Sequence, residues 1–199
     1  EKLERDPLNV LLSRGARFRL PAEAVRDQAL LVSGLLSRKM FGPSVFPPQP
    51  DGLWQAAFNG QRSWVTDTDE NRWRRGVYVF WRRSTPYPSM TVFDAPSRET
   101  CTIRRIRTNT PLQAFVTLND PVYVEAAQAL GRRMLAQRFQ SMKGAEDGVR
   151  IRMGLEWTLG RKADPRAIKV LERLLNEQRE KYRDRPEEAR KIATDPLGM

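Results

Sequence analysis

Apolar residues recur every three or four positions through the second half of the chain, a period typical of amphipathic helices that bury one face. The helices that this pattern predicts cover residues 111–118, 121 to about 141, 146–159, 165 to about 182, and a short stretch beginning at 186. The side chains predicted to be buried on the two longest helices are Val122, Ala126, Leu130, Met134 and Phe139, then Ile168, Leu171, Leu175 and Tyr182. Short connections, with breaks near Asp120, Gly144 and Gly160, favour antiparallel packing in a bundle.

Proline marks the starts of the predicted helices, because the first helical N–H has no partner and proline lacks that group. Six prolines stand at such positions: Pro7, Pro21, Pro111, Pro121, Pro165 and Pro186. The residues directly before four of them can cap the helix with their side chains: Asp6, Thr110, Asp120 and Asp164. Near the N-terminus this predicts a helix over residues 7–14 that stops at Gly15. A second begins at Pro21, breaks at Gly34 and places Val25, Ala29 and Val32 on one face.

The stretch between the two helical parts is predicted to be irregular. Four closely spaced prolines exclude both a helix and a central strand at its start: Pro43, Pro47, Pro48 and Pro50. Residues 76–81 fit a strand by composition and a helical stripe by spacing, and periodicity does not decide between them. We therefore predict a mainly α fold. It is a single helical domain over residues 1–199, with an irregular aromatic and basic segment at about 42–100 and one half of a helical bundle at 110–199.

Aromatic residues and arginines alternate in the irregular segment. The tryptophans are Trp54, Trp64, Trp73 and Trp81, and the arginines among them are Arg72, Arg74, Arg75, Arg82 and Arg83. Rings beside guanidinium groups can stack on bases or sugar faces, so Trp73 and Trp81 form a candidate aromatic surface. Alternatively, the rings anchor a segment that lacks regular structure. We favour this second interpretation, which predicts that Trp73 and Trp81 are mostly buried.

The charge balance changes which partners are expected. Among 199 residues, 35 are Lys or Arg and 24 are Asp or Glu, which gives a net charge of +11. This excess favours polyanionic partners, or else acidic modules elsewhere in a longer protein. The absence of histidine excludes Ser-His-Asp and Cys-His catalysis, histidine-ligated zinc and a histidine-ligated haem within this segment. The single Cys101 excludes an internal disulfide, and we expect neither a cofactor nor a membrane span in the segment.

The densest arginine stretch lies just before the second half, where residues 72–107 hold nine arginines against Asp94 and Glu99. Planar bidentate donors suit carboxylate, phosphate or sulfate groups, and they also suit structural ion pairs. The candidate binding or organising residues are Asp94, Arg98, Arg104, Arg105, Arg107, Asn109, Thr110, Gln113 and Asn119. We expect either Arg105 or Arg107 to point inward, because a buried guanidinium needs a carboxylate. The possible partners are Asp94, Glu99, Asp120 and, at a greater distance, Asp27.

Several motifs follow one another in an order that resembles a known family. They lie at residues 5–14, 24–34, 42–45, 94–99, 104–114 and 118–121, and the Thr-Asn-Thr-Pro-Leu-Gln run at 108–113 is the most specific. Together they resemble a planctomycete-type secreted domain of unknown function. The resemblance implies the C-terminal part of a large exported protein that often begins with a cytochrome-c-like module. It implies no catalytic residue, and genes of the family often neighbour those of predicted sulfatase-like secreted proteins.

We therefore expect a non-catalytic structural or binding module of an exported protein, periplasmic or at the cell surface. Its partners would be other domains of the same precursor, an anionic polysaccharide or a secreted sulfatase-like protein. A second interpretation is part of an enzyme active site for carbohydrate-related hydrolysis, completed by residues upstream of Glu1. The arginines around Asp94 and Glu99 would keep both carboxylates ionised, which does not suit a general acid. A third interpretation, nucleic-acid binding, depends on charge alone.

Overall fold

The computed structural model describes residues 2–15, 18–137 and 146–193. In these parts the chain forms nine α-helices, two 3₁₀ turns and no β-sheet. The helices are α1 Lys2–Arg5, α2 Ala22–Ser33, α3 Leu53–Ala57, α4 Pro88–Val92, α5 Pro111–Asn119, α6 Pro121–Leu135, α7 Glu146–Leu159, α8 Pro165–Tyr182 and α9 Pro186–Ile192. The 3₁₀ turns are Glu70–Trp73 and Gly76–Tyr78. The prediction of a mainly α fold is confirmed.

Proline starts α5, α6, α8 and α9 at the predicted residues. Asp120 and Asp164 cap their helices, because their carboxylates accept the N–H of Val122 at 3.1 Å and of Arg166 at 2.8 Å. The predicted cap by Thr110 is wrong. The Gln113 N–H donates to the Thr110 carbonyl at 3.1 Å, so the first turn of α5 is satisfied by the backbone instead of the hydroxyl.

The predicted helix over residues 7–14 is also wrong. α1 ends before this stretch, and Asn9 has a φ of 55°, a left-handed conformation that an α-helix does not accommodate. The Asp6 carboxylate accepts the N–H of Val10 at 2.8 Å, and the Asn9 amide bonds both backbone groups of Arg14 at 3.0 and 3.2 Å. These local side-chain bonds offer the backbone an alternative to helical pairing, and the stretch forms a loop.

α2 and α6 form the centre of the fold, with α4, α5 and α7 packed around them. α2 begins at Ala22, one residue after the predicted start, because Pro21 is extended and precedes the helix. It ends as predicted, and Gly34 closes it in the left-handed conformation with a φ of 85°. The residues that α2 buries are Ala22, Arg26, Leu30 and Ser33. The face predicted from Val25, Ala29 and Val32 is only partly buried. The buried face of α2 differs from the predicted one because it includes Arg26, whose guanidinium donates to the backbone carbonyl of Arg72.

The segment at about 42–100 is largely irregular, as predicted. Residues 76–81 form neither a strand nor a helical stripe, since a 3₁₀ turn is followed by one isolated parallel bridge between Val45 and Val79. Aromatic packing holds the segment together, with neighbouring ring centroids 5.0–6.4 Å apart among Phe46, Trp54, Trp64, Phe80 and Tyr87. The adjacent buried cluster comprises Ala22, Val45, Val79, Tyr87, Met90, Phe93, Val122 and Tyr123.

In the second half, α7 and α8 have their predicted bounds, and Gly160 with a φ of 62° follows the end of α7. α6 ends at Leu135, before the predicted end at about 141, while Phe139 and the predicted break near Gly144 lie outside the described residues. Of the predicted buried side chains, Val122, Ala126 and Ile168 are buried. The partly buried ones are Leu130, Met134, Leu171, Leu175 and Tyr182.

The partly buried positions of α6, α7 and α8 include Leu130, Met134, Leu171 and Leu175, which line an open apolar cleft of about 520 Å³.

Over the described residues, no helix combines the length and the apolar composition needed to span a membrane.

Candidate functional site

Three arginines that precede α4, at positions 72, 74 and 75, are used within the fold. Arg72 donates through Nε to both carboxylate oxygens of Glu125 on α6, at 2.9 and 3.0 Å. Glu125 is buried and also accepts the indole N–H of Trp73 at 3.0 Å. One carboxylate therefore fixes two consecutive side chains of the irregular segment against the central helix.

Arg74 and Arg75 continue this attachment. The Arg74 side chain is only 1% exposed, lies 3.9 Å from the ring centroid of Tyr78, and donates to the carbonyl oxygens of Phe41 and, at 3.3 Å, Pro43. Arg75 pairs with Asp27 of α2 at 3.3 Å. The arginines at positions 72, 74 and 75 are thus structural, as one of the two interpretations of the arginine stretch predicted.

A second buried guanidinium lies at the centre of the fold. Arg26 of α2, 2% exposed, donates to the carbonyl oxygens of Arg72 at 2.9 Å and Arg74 at 3.4 Å. Burial raises the pKa of Asp120, against the opposing effects of its bond from Val122 and the positive charge of Arg26. Burial also raises the pKa of the nearby Tyr87 hydroxyl, which donates to the Pro48 carbonyl.

Two of the motifs singled out in the sequence meet at Asp94. Its carboxylate accepts the backbone N–H of Thr108 at 2.6 Å and the Thr108 hydroxyl at 2.9 Å. Asp94 itself has a φ of 62°, which Asp tolerates better than most residues. The turn after α4 is therefore joined directly to the chain that leads into α5.

Gln113 extends this network into α5. Its side chain is 2% exposed and donates to the Val92 carbonyl at 2.9 Å and to the Thr108 hydroxyl at 3.2 Å. Its amide oxygen accepts a bond from Arg19. Asp94, Thr108 and Gln113 form an organising network, to which Arg19 is bonded through Gln113. Thr108 and Arg19 were not among the candidate residues.

The candidate arginines after α4 are exposed. Arg105 pairs with Glu23 of α2 at 2.7 Å, so the expected pairing with Asp94, Glu99, Asp120 or Asp27 is wrong. Burial raises the pKa of Glu23, but the hydrogen bond from Arg105, a backbone hydrogen bond and the charges of Arg105 and Arg98 together lower it below its ordinary value. Arg104 and Arg107 are exposed and make no ion pair with any residue that the structure describes. The three arginines belong to a curled stretch, 103–107, that surrounds an open concavity of about 620 Å³.

The two candidate tryptophans differ in burial. Trp73 is 6% exposed, which confirms the predicted burial and removes it from the candidate aromatic surface. Trp81 is partly buried, its indole N–H donates to the Ser97 carbonyl at 3.2 Å, and the guanidinium of Arg98 lies 4.9 Å from its ring centroid. Because Arg98 already occupies a position over the ring, Trp81 is not an open stacking platform.

The outer face of α5 is apolar and exposed. Leu112, Phe115 and Leu118 are 56%, 63% and 71% exposed, although their spacing of three is that of residues which helices usually bury. The candidate residues Asn109, Thr110 and Asn119 are also exposed, and the Asn119 amide donates back to the Phe115 carbonyl at 2.8 Å. Sequence reasoning missed these three apolar residues, because amphipathic spacing does not show whether the chain itself covers the apolar side.

The loop that follows α1 presents a second exposed apolar group. The Arg14 guanidinium donates to the carbonyl oxygens of Lys2, Asp6 and Pro7 and so closes the loop from inside. The apolar side chains that this loop exposes are Leu8, Val10, Leu11 and Leu12.

Among the described residues, no group of three or more Cys, Asp or Glu side chains is placed to hold a metal ion.

A family model described as "PSD1: Protein of unknown function (DUF1553)" matches residues 1–175. The chain belongs to this family. The PSD1 match includes the loop after α1, the Asp94–Thr108–Gln113 network, the exposed face of α5 and the first part of α8. No curated protein and no solved structure matches the chain.

Proposed function

We propose that this PSD1-family chain is a non-catalytic structural and binding module that docks onto another protein domain. The observation that supports this proposal most directly is the exposed stripe of Leu112, Phe115 and Leu118 on α5. Contiguous apolar patches of this kind are uncommon on monomeric proteins and mark interaction sites. α5 is held rigidly by the buried Gln113, so the stripe is displayed on a fixed helix.

A protein partner suits this surface better than a glycan does. Of the two candidate tryptophans for stacking on a sugar, Trp73 is buried and Trp81 lies beneath Arg98. The exposed ring of Phe115 stands between Leu112 and Leu118, and such an apolar stripe suits a protein surface better than a sugar. A polyanion alone would engage Arg104 and Arg107 but leave the apolar stripe in water. The second candidate partners are therefore an anionic polysaccharide and a secreted sulfatase-like protein, and the exposure of these two arginines supports both. The same two exposed arginines are the only structural support for nucleic acid as a partner.

The partner domain is proposed to belong to the same precursor. Support for this comes from the motif order, which resembles that of the C-terminal part of large exported planctomycete-type proteins with a cytochrome-c-like module. In this proposal the haem is held by the other module and the chain acts outside the cytoplasmic membrane. An enzyme active site completed by upstream residues remains the alternative, and it predicts activity that depends on a carboxylate of this chain, such as Glu99.

The test is binding between this chain and the rest of the precursor, produced as two separate polypeptides and followed by titration calorimetry. We expect binding that Phe115→Ser combined with Leu118→Ser weakens by about tenfold or more, since buried apolar anchors dominate most interfaces. The matched control is Val170→Ser with Leu174→Ser, which changes two exposed residues of α8. Equal loss in both double variants, or binding that neither pair affects, would contradict docking through α5.

A further inference from the structure

We propose that the partner presents an amphipathic helix to α5, with an apolar stripe bordered by acidic side chains. This inference rests on the proposed function and names the chemistry of the partner. It combines three observations: the shape of the apolar stripe, the rigid attachment of the helix that carries it, and the charge of the segment that leads into it.

The stripe has the dimensions of one side of a helix–helix contact. At about 100° per residue, Leu112, Phe115 and Leu118 span an arc of about 120° and about 9 Å along the axis. Gln113, the buried residue of α5, lies about 160° from the middle of that arc. The inward and outward sides of α5 are therefore opposite, and the outward side can accept a helix that packs along it.

The display of the stripe is rigid. Gln113 bonds Val92 and Thr108 on one side of α5, and Val116 packs against the buried cluster. At the C-terminal end, the Asp120 N–H donates to the Val116 carbonyl at 2.9 Å. Because α5 is already ordered, a partner would not have to order it on binding, which lowers the entropic cost of association.

The positive charge near α5 predicts that the side chains bordering the partner's apolar stripe are acidic. α5 contains no charged residue, and the exposed Arg104 and Arg107 stand in the segment that leads into it, with Arg105 half-exposed beside them. Acidic side chains at the edge of an incoming apolar stripe would meet these guanidinium groups, which bind carboxylates in a bidentate manner.

The same charge disfavours a second copy of the chain as the occupant. Two copies would bring two sets of these arginines together across the contact, and each copy has a net charge of +11. Like charges placed close together across an interface are unfavourable. The partner is therefore expected to be a different, acidic surface.

Two designed helical peptides of about 18 residues test the proposal against the whole chain labelled with ¹⁵N. Both have the same leucine stripe, and the flanking positions are Glu in one and Lys in the other. We expect the Glu peptide to shift the amide signals of residues 104–118 and to bind at least about tenfold more tightly than the Lys peptide at low salt. Its advantage should shrink as salt is raised, because exposed charges are screened.

Variants of the chain assign the binding to the stripe and to the arginines. Phe115→Ser should abolish binding of the Glu peptide, whereas Arg104→Gln with Arg107→Gln should reduce its affinity to that of the Lys peptide. Val170→Ser on α8 is the control and should change neither. Four results would each overturn the proposal. They are equal binding of the two peptides, shifts of amide signals outside residues 104–118, no binding of the Glu peptide, and self-association of the chain through α5.

Failure here is separable from failure of the proposed function. If the rest of the precursor binds through Phe115 while the Glu peptide does not bind, docking through α5 stands and the acidic-helix proposal is rejected. If the precursor shows no dependence on Phe115, the docking function itself is rejected, whatever the peptide does.

Discussion

Glu125 connects the irregular segment to the central helix through two side chains, Arg72 and Trp73. The sequence places these partners 53 and 52 residues apart, so no local pattern indicates that they meet. What the sequence does show is an arginine-rich stretch that must find either carboxylates or a ligand. In the structure, Arg72, Arg74 and Arg75 of that stretch bind carboxylates and carbonyl oxygens within the fold.

Glu125→Gln should lower the free energy of unfolding by about 3 kcal/mol, the lower end of the range for breaking a buried ion pair, because the amide keeps one acceptor but leaves Arg72 without a counter-charge. Urea unfolding of the purified variant measures this. The control is Glu180→Gln, whose partner Arg183 is exposed, and it should cost less than about 1 kcal/mol. Similar costs for the two substitutions would show that Glu125 is not the attachment point.

The pair of Glu23 with Arg105 should make stability depend on pH. Arg105 lowers the pKa of Glu23 below its ordinary value of 4.5, so the pair's stabilisation is complete above that value and is lost as pH falls through the lower pKa of the folded state. Glu23→Gln should therefore cost about 0.5–1 kcal/mol at neutral pH and progressively less below about pH 4.5.

Urea unfolding of wild type and Glu23→Gln between about pH 7 and pH 3 measures this difference. In an Arg105→Gln background the pH dependence of the difference should become smaller, since the side chain with the largest lowering effect on the pKa is gone. A cost that stays constant down to about pH 3 would mean that the pair does not contribute to folding.

At the scale of the elements, sequence reasoning succeeded where a helix has a local start signal. α5, α6, α8 and α9 begin at their predicted prolines, and α2 ends at Gly34. It failed at residues 7–14, where the side chains of Asp6 and Asn9 stabilise a loop by accepting backbone N–H groups. It also did not predict which side of α2 or α5 is covered, because that depends on packing between residues distant in the chain.

Gly76 of the irregular segment lies close against the backbone of α2. A Cβ at this position would lie 2.9 Å from the Cα of Glu23 and 3.0 Å from its carbonyl oxygen, and backbone cannot move aside easily. Gly76→Ala should therefore lower the free energy of unfolding by about 1–3 kcal/mol.

Gly131→Ala in α6 is the matched control, since nothing lies within 4 Å of a Cβ there. It should leave stability unchanged or raise it by up to about 1 kcal/mol, because alanine favours a helix. Thermal unfolding of wild type and both variants measures these changes in stability. If Gly76→Ala proved as stable as Gly131→Ala, the segment would not be packed tightly on α2.

For the molecule as a whole, apolar residues are either covered or displayed. The covered ones include the cluster between α2, α4, α6 and the irregular segment. The displayed ones include those on α5, on the loop after α1 and in the open cleft between α6, α7 and α8. The basic charge divides in the same way, with Arg26, Arg72 and Arg74 turned inward and Arg104 and Arg107 outward. Composition indicated a basic chain and apolar spacing indicated a helical one, and only the fold separates the structural arginines from those available to a partner.

We propose that another domain covers the outer face of α5 in the intact protein. Hydroxyl-radical footprinting of the chain alone and within the longer precursor measures this coverage. We expect oxidation of Leu112, Phe115 and Leu118 to slow by about fivefold or more in the precursor, as burial in an interface excludes water. Val170 and Leu174 should react equally in both proteins. Equal oxidation of the α5 residues in the two proteins would mean that no domain covers α5.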